Sequence, residues 1–203
     1  MDRSPSAGLP PAIDAMQEML DEEGFSFKTK TEISSFIGYG ERPFIAGSIG
    51  SEDEDDIARG KNSYYRIYGE KLQKIKPYPH VKEILKLFKN KKKIIISNKK
   101  DIFIKMILKN LKLNSLFAEV LGEDSIENHK PDPTSINTLL KKYKINPQRA
   151  LIVGDMTVDI ETGKNAGTLT CGVAYGFHGR EKLMKAKPDF LVDDLSELKQ
   201  YIS

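Results

Sequence analysis

The sequence predicts an α/β protein with a parallel sheet and a second, smaller segment that is all helical. Two observations support this fold class. After residue 80, short apolar runs rich in Ile, Val and Leu alternate with longer runs of helical periodicity. Such alternation is typical of βαβ units, which place helices on both faces of a parallel sheet. Before residue 76 the apolar spacing is helical only, which predicts a separate helical domain.

The composition is that of a globular protein and points to no macromolecular partner. Of 203 residues, 39% are hydrophobic and 30% charged, and 32 basic against 29 acidic residues leave a formal charge of +3. We therefore predict no nucleic-acid partner and no membrane partner, and interpret the lysine-rich stretch Lys89–Lys93 as a solvated turn. A single cysteine, Cys171, excludes an intrachain disulfide. These features predict a cytoplasmic protein, as a monomer or a homodimer.

The first part of the chain predicts a lead-in followed by a helical domain. Residues 1–16 are interpreted as an irregular lead-in with the start of the first helix, and residues 17–75 as the helical domain. Thr29 and Glu32 have the spacing of a capping box, so a short helix is expected after Thr29. The acids of Ser51–Asp56 could form a metal site, but acids in the first turn of a long helix explain them better.

Residues 76–203 predict the α/β core. Each strand is expected to be followed by a helix, and the last helix to end near the C-terminus. The predicted strands are 93–96, 118–121, 150–153, 170–174 and 189–192, and the predicted helices are 81–88, 102–111, 134–143, 159–166, 180–186 and 195–202.

Two carboxylates follow the strand predicted at 150–153. Asp155 and Asp159 would lie at the carboxyl end of a parallel strand, where open α/β sheets bind ligands. Two acids one helical turn apart can converge on Mg²⁺, which prefers oxygen ligands and shares its shell with water and phosphate. The alternative is purely local, with Asp155 as a helix cap and Asp159 as an acid favoured by the helix dipole.

Two other strand ends carry polar residues. Ser97 and Asn98 follow the strand at 93–96 and could bind phosphate oxygens, although Ser and Asn are also common in turns. Lys130 stands between His129 and Pro131 and could offset acids and meet an anion, or could be a surface lysine. Along the chain, successive strand ends thus carry a hydroxyl with an amide, then a lysine, then two carboxylates. This order indicates a ligand site more specifically than any one of these signals alone.

The runs IIISNK, KPDP and LIVGDMTVDIETGKNAG resemble motifs two, three and four of the haloacid-dehalogenase-like (HAD) superfamily, closest to its phosphoglycolate-phosphatase branch. The resemblance implies a Rossmannoid three-layer parallel sheet with a helical cap at residues 17–75. It also implies that Ser97 and Asn98 bind the transferred phosphoryl group and that Lys130 orders the nucleophile and the phosphate. Asp155 would ligate Mg²⁺ with help from Asp159.

The first motif of that superfamily, a hydrophobic strand followed by DxDGT, is not found in the sequence. Aligning the first helix with its family counterpart places the nucleophile on Met1 and the partner acid on Arg3, and neither can perform those roles. Asp2 is a weak substitute because no apolar strand precedes it. We therefore expect a central strand to be absent and the chain to be inactive as written, through a truncated or misread start or as a true pseudoenzyme.

These observations lead to one expected function and two alternatives. The expectation is a magnesium-dependent phosphatase, a phosphoric monoester hydrolase of phosphoglycolate-phosphatase type, which acts on a small phosphorylated metabolite through an aspartyl-phosphate. The first alternative is a non-catalytic pseudoenzyme that binds phosphate or a protein partner. The second is a hydrolytic haloacid dehalogenase, in which the metal-type fourth motif would have no use because halide displacement needs no magnesium.

Overall fold

The computed structural model describes residues 11–202, which form two compact units. Residues 11–76 and 97–125 make up the helical unit, and residues 77–96 and 126–202 make up the sheet unit. The first boundary lies within one residue of the one expected from the sequence, but 97–125, which we placed in the core, packs with the helical unit. The assignment of a cap at 17–75 and a core at 76–203 stays a prediction. The predictions for residues 1–10 lie outside the described residues.

Nine α-helices and five β-strands are found in residues 11–202. The helices are α1 Pro11–Glu22, α2 Lys30–Ser34, α3 Glu41–Ile49, α4 Glu54–Leu72, α5 Val81–Leu87, α6 Asp101–Leu111, α7 Thr134–Tyr143, α8 Thr157–Asn165 and α9 Gly179–Lys185. The strands are β1 Ile94–Ile96, β2 Glu119–Leu121, β3 Leu151–Gly154, β4 Leu169–Val173 and β5 Phe190–Val192. The predicted last helix is a 3₁₀ helix, Leu195–Gln200.

The helical unit is built on α1, α4 and α6. The apolar stripe of α1 is buried against α4. Helix α6 also packs on α4, where the ring of Phe103 lies 4.8 Å from that of Tyr68. The side chain of Asn110 also donates to the carbonyl of Leu72 at 3.0 Å. These contacts explain why 97–125 belongs to this unit.

The capping residues seen in the sequence start two helices as predicted, α2 and α4, whereas a third helix, α3, has no such signal. Thr29 and Glu32 form the capping box of α2, which ends at Ser34. Asp53 caps α4 by accepting from the N–H groups of Asp55 and Asp56, so the acid-rich stretch starts a helix. Helix α3 was not predicted, because Gly40 at its start offers no capping side chain.

The sheet unit contains a parallel three-stranded sheet in the order β3-β4-β5. Leu151 pairs with Leu169, and Cys171 of β4 pairs with Phe190 of β5. Successive residues of β4 face opposite sides, as in any strand. Cys171 and Val173 join a core with Ile84 of α5. On the other face, Thr170 lies against Gly163 of α8, and Gly172 lies against Leu183 of α9. Helices thus cover both faces, as predicted.

Strand β3 has one open edge within the described part of the chain. It pairs with β4 on one side only, and Val153 near its end is 40% exposed. Among residues 11–202, no helix has both the length and the apolar character needed to cross a membrane.

A carboxylate at the start of β5 ties this strand to β4. Asp189 Oδ2 accepts from the backbone N–H of Thr170 at 2.8 Å and from its hydroxyl at 2.7 Å. The hydroxyl bond is the main cause that lowers the pKa of Asp189 below its ordinary value. A carboxyl group whose pKa is lower in the folded than in the unfolded state stabilises the fold at pH values above its unfolded-state pKa. This stabilisation is lost as the pH falls through the folded-state pKa.

We predict that Asp189→Asn lowers the free energy of unfolding by about 1 kcal/mol at neutral pH, since one charged acceptor is lost. The difference from wild type should shrink in acid, where the wild-type carboxyl is also neutral. Urea unfolding over a pH series measures both effects. Asp193→Asn, which loses only an exposed pair with Arg180, is the control. A deficit of Asp189→Asn that does not change with pH would contradict this explanation.

Candidate functional site

Asp155 lies directly after β3, at the carboxyl end of a parallel strand, as predicted. Its Oδ2 accepts from the backbone N–H of Phe177 at 2.8 Å, and its carbonyl accepts from the N–H of His178 at 3.1 Å. Within the described residues, Oδ1 of Asp155 accepts no hydrogen bond from another residue. The alternative that Asp155 caps the next helix is wrong, because Met156 is the N-cap of α8. Asp155 therefore offers one carboxylate oxygen to a ligand.

Asp159 lies in the first turn of α8 and is only 8% exposed. Its Oδ2 accepts from the N–H of Met156 at 3.0 Å, so the local role of a first-turn acid does apply here. Its Oδ1 forms an ion pair with Lys130 Nζ at 2.5 Å. The carboxylate also packs on Gly154, where a Cβ would come within 2.3 Å of it. Both oxygens of Asp159 are thus engaged.

Lys130 is held in the segment that precedes α7. The side chains of Lys130 and Asp159 are 14% and 12% exposed, so this ion pair is largely buried. The side chain of Asn165, at the end of α8, donates to the carbonyl of Pro131 at 3.0 Å and fixes the segment. The interpretation of Lys130 as a free surface lysine is therefore wrong.

The electrostatics of this cluster follow from burial and from the two like charges. Burial raises the pKa of Asp155 above its ordinary value, and the charge of Asp159 adds to the rise. The N–H of Phe177 and the charge of Lys130 oppose this rise. A cation beside the two carboxylates would reverse the effect of their repulsion, since opposite charge favours the ionised form.

Sequence reasoning missed the loop after β4, which we call the strap and define as Tyr175–His178. The strap makes the two backbone hydrogen bonds to Asp155 described above. In addition, Nδ1 of His178 accepts a hydrogen bond from the N–H of Thr157 at 3.0 Å. Burial lowers the pKa of His178, which agrees with a neutral ring accepting at Nδ1. Its signal in the sequence was the glycine at 176, three residues after the end of β4. A Cβ at this position would lie 2.1 Å from the Asp155 Cβ.

Ser97 and Asn98 belong to the helical unit. The N–H of Ser97 donates to the carbonyl of Leu121 at 2.9 Å, and its hydroxyl accepts from the N–H of Lys99 at 3.2 Å. Asn98 is buried and its side-chain amide donates to the carbonyl of Gly38 at 2.7 Å. The structure thus brings Lys130, Asp155 and Asp159 together in one unit, and fixes Ser97 and Asn98 in the other.

The donor set at the end of β3 fits a magnesium ion. Among residues 11–202 no group of three or more His, Cys, Asp or Glu side chains is arranged to hold a metal. Mg²⁺, however, commonly binds one or two carboxylates and completes its shell with water and substrate phosphate. Asp155 Oδ1 is the oxygen available for it, and Asp159 could contribute only through the oxygens that now meet Lys130 and Met156.

The sequence profile of the haloacid dehalogenase-like hydrolases matches residues 10–173. The chain belongs to this family. The family resemblance stated from the strand-end motifs is therefore confirmed, and so is the predicted α/β fold with its parallel sheet. The profile match by itself does not assign roles to Ser97, Asn98, Lys130, Asp155 or Asp159, which stay predictions.

Curated relatives in this hydrolase family are phosphoglycolate phosphatases. That of Vibrio cholerae serotype O1 is 34% identical over 206 residues, which cover 96% of this chain and 90% of the relative. That of Vibrio vulnificus strain YJ016 is 32% identical over 202 residues, with coverages of 94% and 88%. A crystal structure of a predicted phosphoglycolate phosphatase from Haemophilus somnus 129PT has a TM-score of 0.86 at 26% identity, covering 95% of this chain and 91% of that one.

We predict that Gly176→Ala displaces the strap from Asp155. The added methyl carbon would lie 2.5 Å from the Asp155 Oδ2 that the Phe177 N–H now holds. Overpacking of this kind costs about 1–3 kcal/mol, which urea unfolding can measure. Gly69→Ala is the control, because its nearest neighbour would be Met106 Cε at 3.4 Å. Equal unfolding free energies for Gly176→Ala and wild type would show that the strap gives way without cost.

Proposed function

We propose that this hydrolase-family chain carries the site of a magnesium-dependent phosphatase of phosphoglycolate-phosphatase type, with a small phosphorylated metabolite as substrate. The observation that carries the proposal is the cluster of Asp155, Asp159 and Lys130 at the end of β3. Its support is twofold: the fold pairs Lys130 with Asp159 beside Asp155, and two curated relatives with over 30% identity are phosphoglycolate phosphatases.

In this proposal each residue has one task. Ser97 and Asn98 hold oxygens of the phosphoryl group through a hydroxyl and an amide, which add no charge. Lys130 pairs with Asp159 and offsets the negative charge of an incoming phosphate. Asp155 Oδ1 binds the metal, and bound Mg²⁺ would neutralise charge on the phosphoryl oxygens and orient them.

The strap contributes to the same task by fixing Asp155. Because Oδ2 of Asp155 is held by the Phe177 N–H, Oδ1 is left in one orientation. A preorganised ligand loses less freedom when the metal and the phosphate bind. The protein is therefore proposed to bind phosphate and metal with groups whose positions are set before the substrate arrives.

Phosphoryl transfer through an aspartyl-phosphate also needs an attacking carboxylate and a second acid for the leaving oxygen. The 203-residue sequence contains no DxDGT motif that would supply them. A non-catalytic phosphate-binding protein is therefore the second candidate. The presence of Ser97, Asn98, Lys130, Asp155 and Asp159 is compatible with both candidates, and this second one would be favoured if the full gene also lacks the DxDGT strand.

We predict that the 203-residue chain hydrolyses p-nitrophenyl phosphate and phosphoglycolate no faster than magnesium-containing buffer. A version extended by an apolar strand and Asp-X-Asp-Gly-Thr ahead of Ala12 should gain turnover, and a chelator should abolish that turnover. Release of inorganic phosphate is the measurement for both proteins.

Two results would count against this proposal. Turnover by the 203-residue chain that survives Asp2→Asn would reveal another nucleophile. An extended protein that folds, binds Mg²⁺ and still releases no phosphate from either substrate would favour the non-catalytic candidate.

A further inference from the structure

Lys99, which follows Ser97 and Asn98 in the helical unit, is fixed at both its backbone and its side chain. Its N–H donates to Ser97 Oγ, and its carbonyl accepts from the N–H of Glu123 at 2.9 Å. Its ammonium donates to the hydroxyl of Tyr68 at 2.8 Å and lies 4.8 Å from the centroid of that ring. A long, flexible side chain is thus held against Tyr68, on the residue that directly follows Ser97 and Asn98 in the chain.

The charge of Lys99 has no counter-ion in the described part of the chain. No carboxylate there lies within ion-pair distance of its Nζ, and its partner Tyr68 is a neutral phenol. The next lysine is different, because Lys100 Nζ lies 4.0 Å from a carboxylate oxygen of both Glu41 and Glu123. Lys99 is half-buried as well. It is therefore a partly desolvated cation that the described residues leave uncompensated.

A cation that is taken partly out of water without a counter-ion carries a desolvation cost. The phenol ring and hydroxyl of Tyr68 offset part of this cost by a cation–π contact and one hydrogen bond. Neither removes the positive charge. An anion that comes from outside the chain would complete the site, and a carboxylate is well matched to a lysine ammonium.

We propose that Lys99 binds a second anionic group of the substrate, and so selects phosphate monoesters that also carry a carboxylate. This inference rests on the proposed function, in which Ser97 and Asn98 take the phosphoryl group. The phosphoryl group and the second anion would then belong to one small molecule, in which only a few bonds separate them. Phosphoglycolate has this chemistry, whereas ethyl phosphate has the same phosphoryl group without the carboxylate.

The test is calorimetric titration of the 203-residue protein with phosphoglycolate and, separately, with ethyl phosphate, both in the presence of Mg²⁺. Lys99→Met removes the charge at nearly constant length. It should weaken phosphoglycolate binding about tenfold or more, the loss expected for one charged hydrogen bond, and change ethyl phosphate binding by less than about twofold.

Two further variants separate charge from structure. Lys100→Met is the matched control, since it removes a neighbouring charge that Glu41 and Glu123 already offset, and it should change neither affinity by more than about twofold. Lys99→Arg keeps the charge and should keep the preference for phosphoglycolate. If Lys99→Met does not fold, as judged by circular dichroism, Tyr68→Phe replaces it, because loss of the hydroxyl releases the ammonium and should reduce that preference.

The outcomes are distinguishable. Equal losses for both ligands in Lys99→Met, or no loss for either, would overturn the role of Lys99 while the proposed phosphatase site stands. If the wild-type protein binds neither ester, the proposed function fails and the inference about Lys99 fails with it.

Discussion

The ion pair between Lys130 and Asp159 is the interaction on which the candidate site depends. Two carboxylates follow β3 within one helical turn, and burial together with the charge of Asp159 raises the pKa of Asp155. Lys130 offsets this by placing a positive charge against Asp159. Removing one partner of a buried pair typically costs about 3–5 kcal/mol, because the other charge is left without compensation. A pair of this kind is weak evidence for stability and better evidence for a functional site.

Backbone groups complete what the ion pair begins. The N–H of Met156 holds Asp159 and the N–H of Phe177 holds Asp155. These amides come from the turns that follow β3 and β4, which are neighbours in the parallel sheet. The carboxyl ends of adjacent parallel strands meet at the same edge, so such a sheet provides several amides around one point. At this edge the two acids are fixed in different ways. Asp159 is engaged at both carboxylate oxygens and Asp155 only at Oδ2.

Much of the fold could be predicted from local pattern. Strands β3, β4 and β5 follow from short apolar runs bounded by Gly or Asp, and the start of α2 from the spacing of Thr29 and Glu32. Helix α3 could not be found in this way, because its start carries a glycine in place of a capping side chain. The packing of 97–125 with the helical unit depends on contacts between α6 and α4, and such distant contacts leave no local signature.

The candidate site was predictable in its side chains and not in its backbone. Acids and a lysine at strand ends are visible as residue types, and their positions indicated a ligand site. The bond from Phe177 to Asp155 was not visible, because every residue except proline has an N–H. The uncompensated charge of Lys99 was equally hidden, since it depends on which carboxylates the fold leaves out of reach.

The central claim is that Asp155 provides the free carboxylate oxygen for a metal, whereas Asp159 is already engaged. Calorimetric titration of Mg²⁺ into wild type, Asp155→Asn and Asp159→Asn tests this claim most directly, with thermal unfolding as a check that each variant is folded. The account predicts that Asp155→Asn loses more affinity for Mg²⁺ than Asp159→Asn, because an amide at 155 removes charge from the only unengaged carboxylate oxygen of the pair. Equal losses in the two variants, or a larger loss in Asp159→Asn, would contradict it.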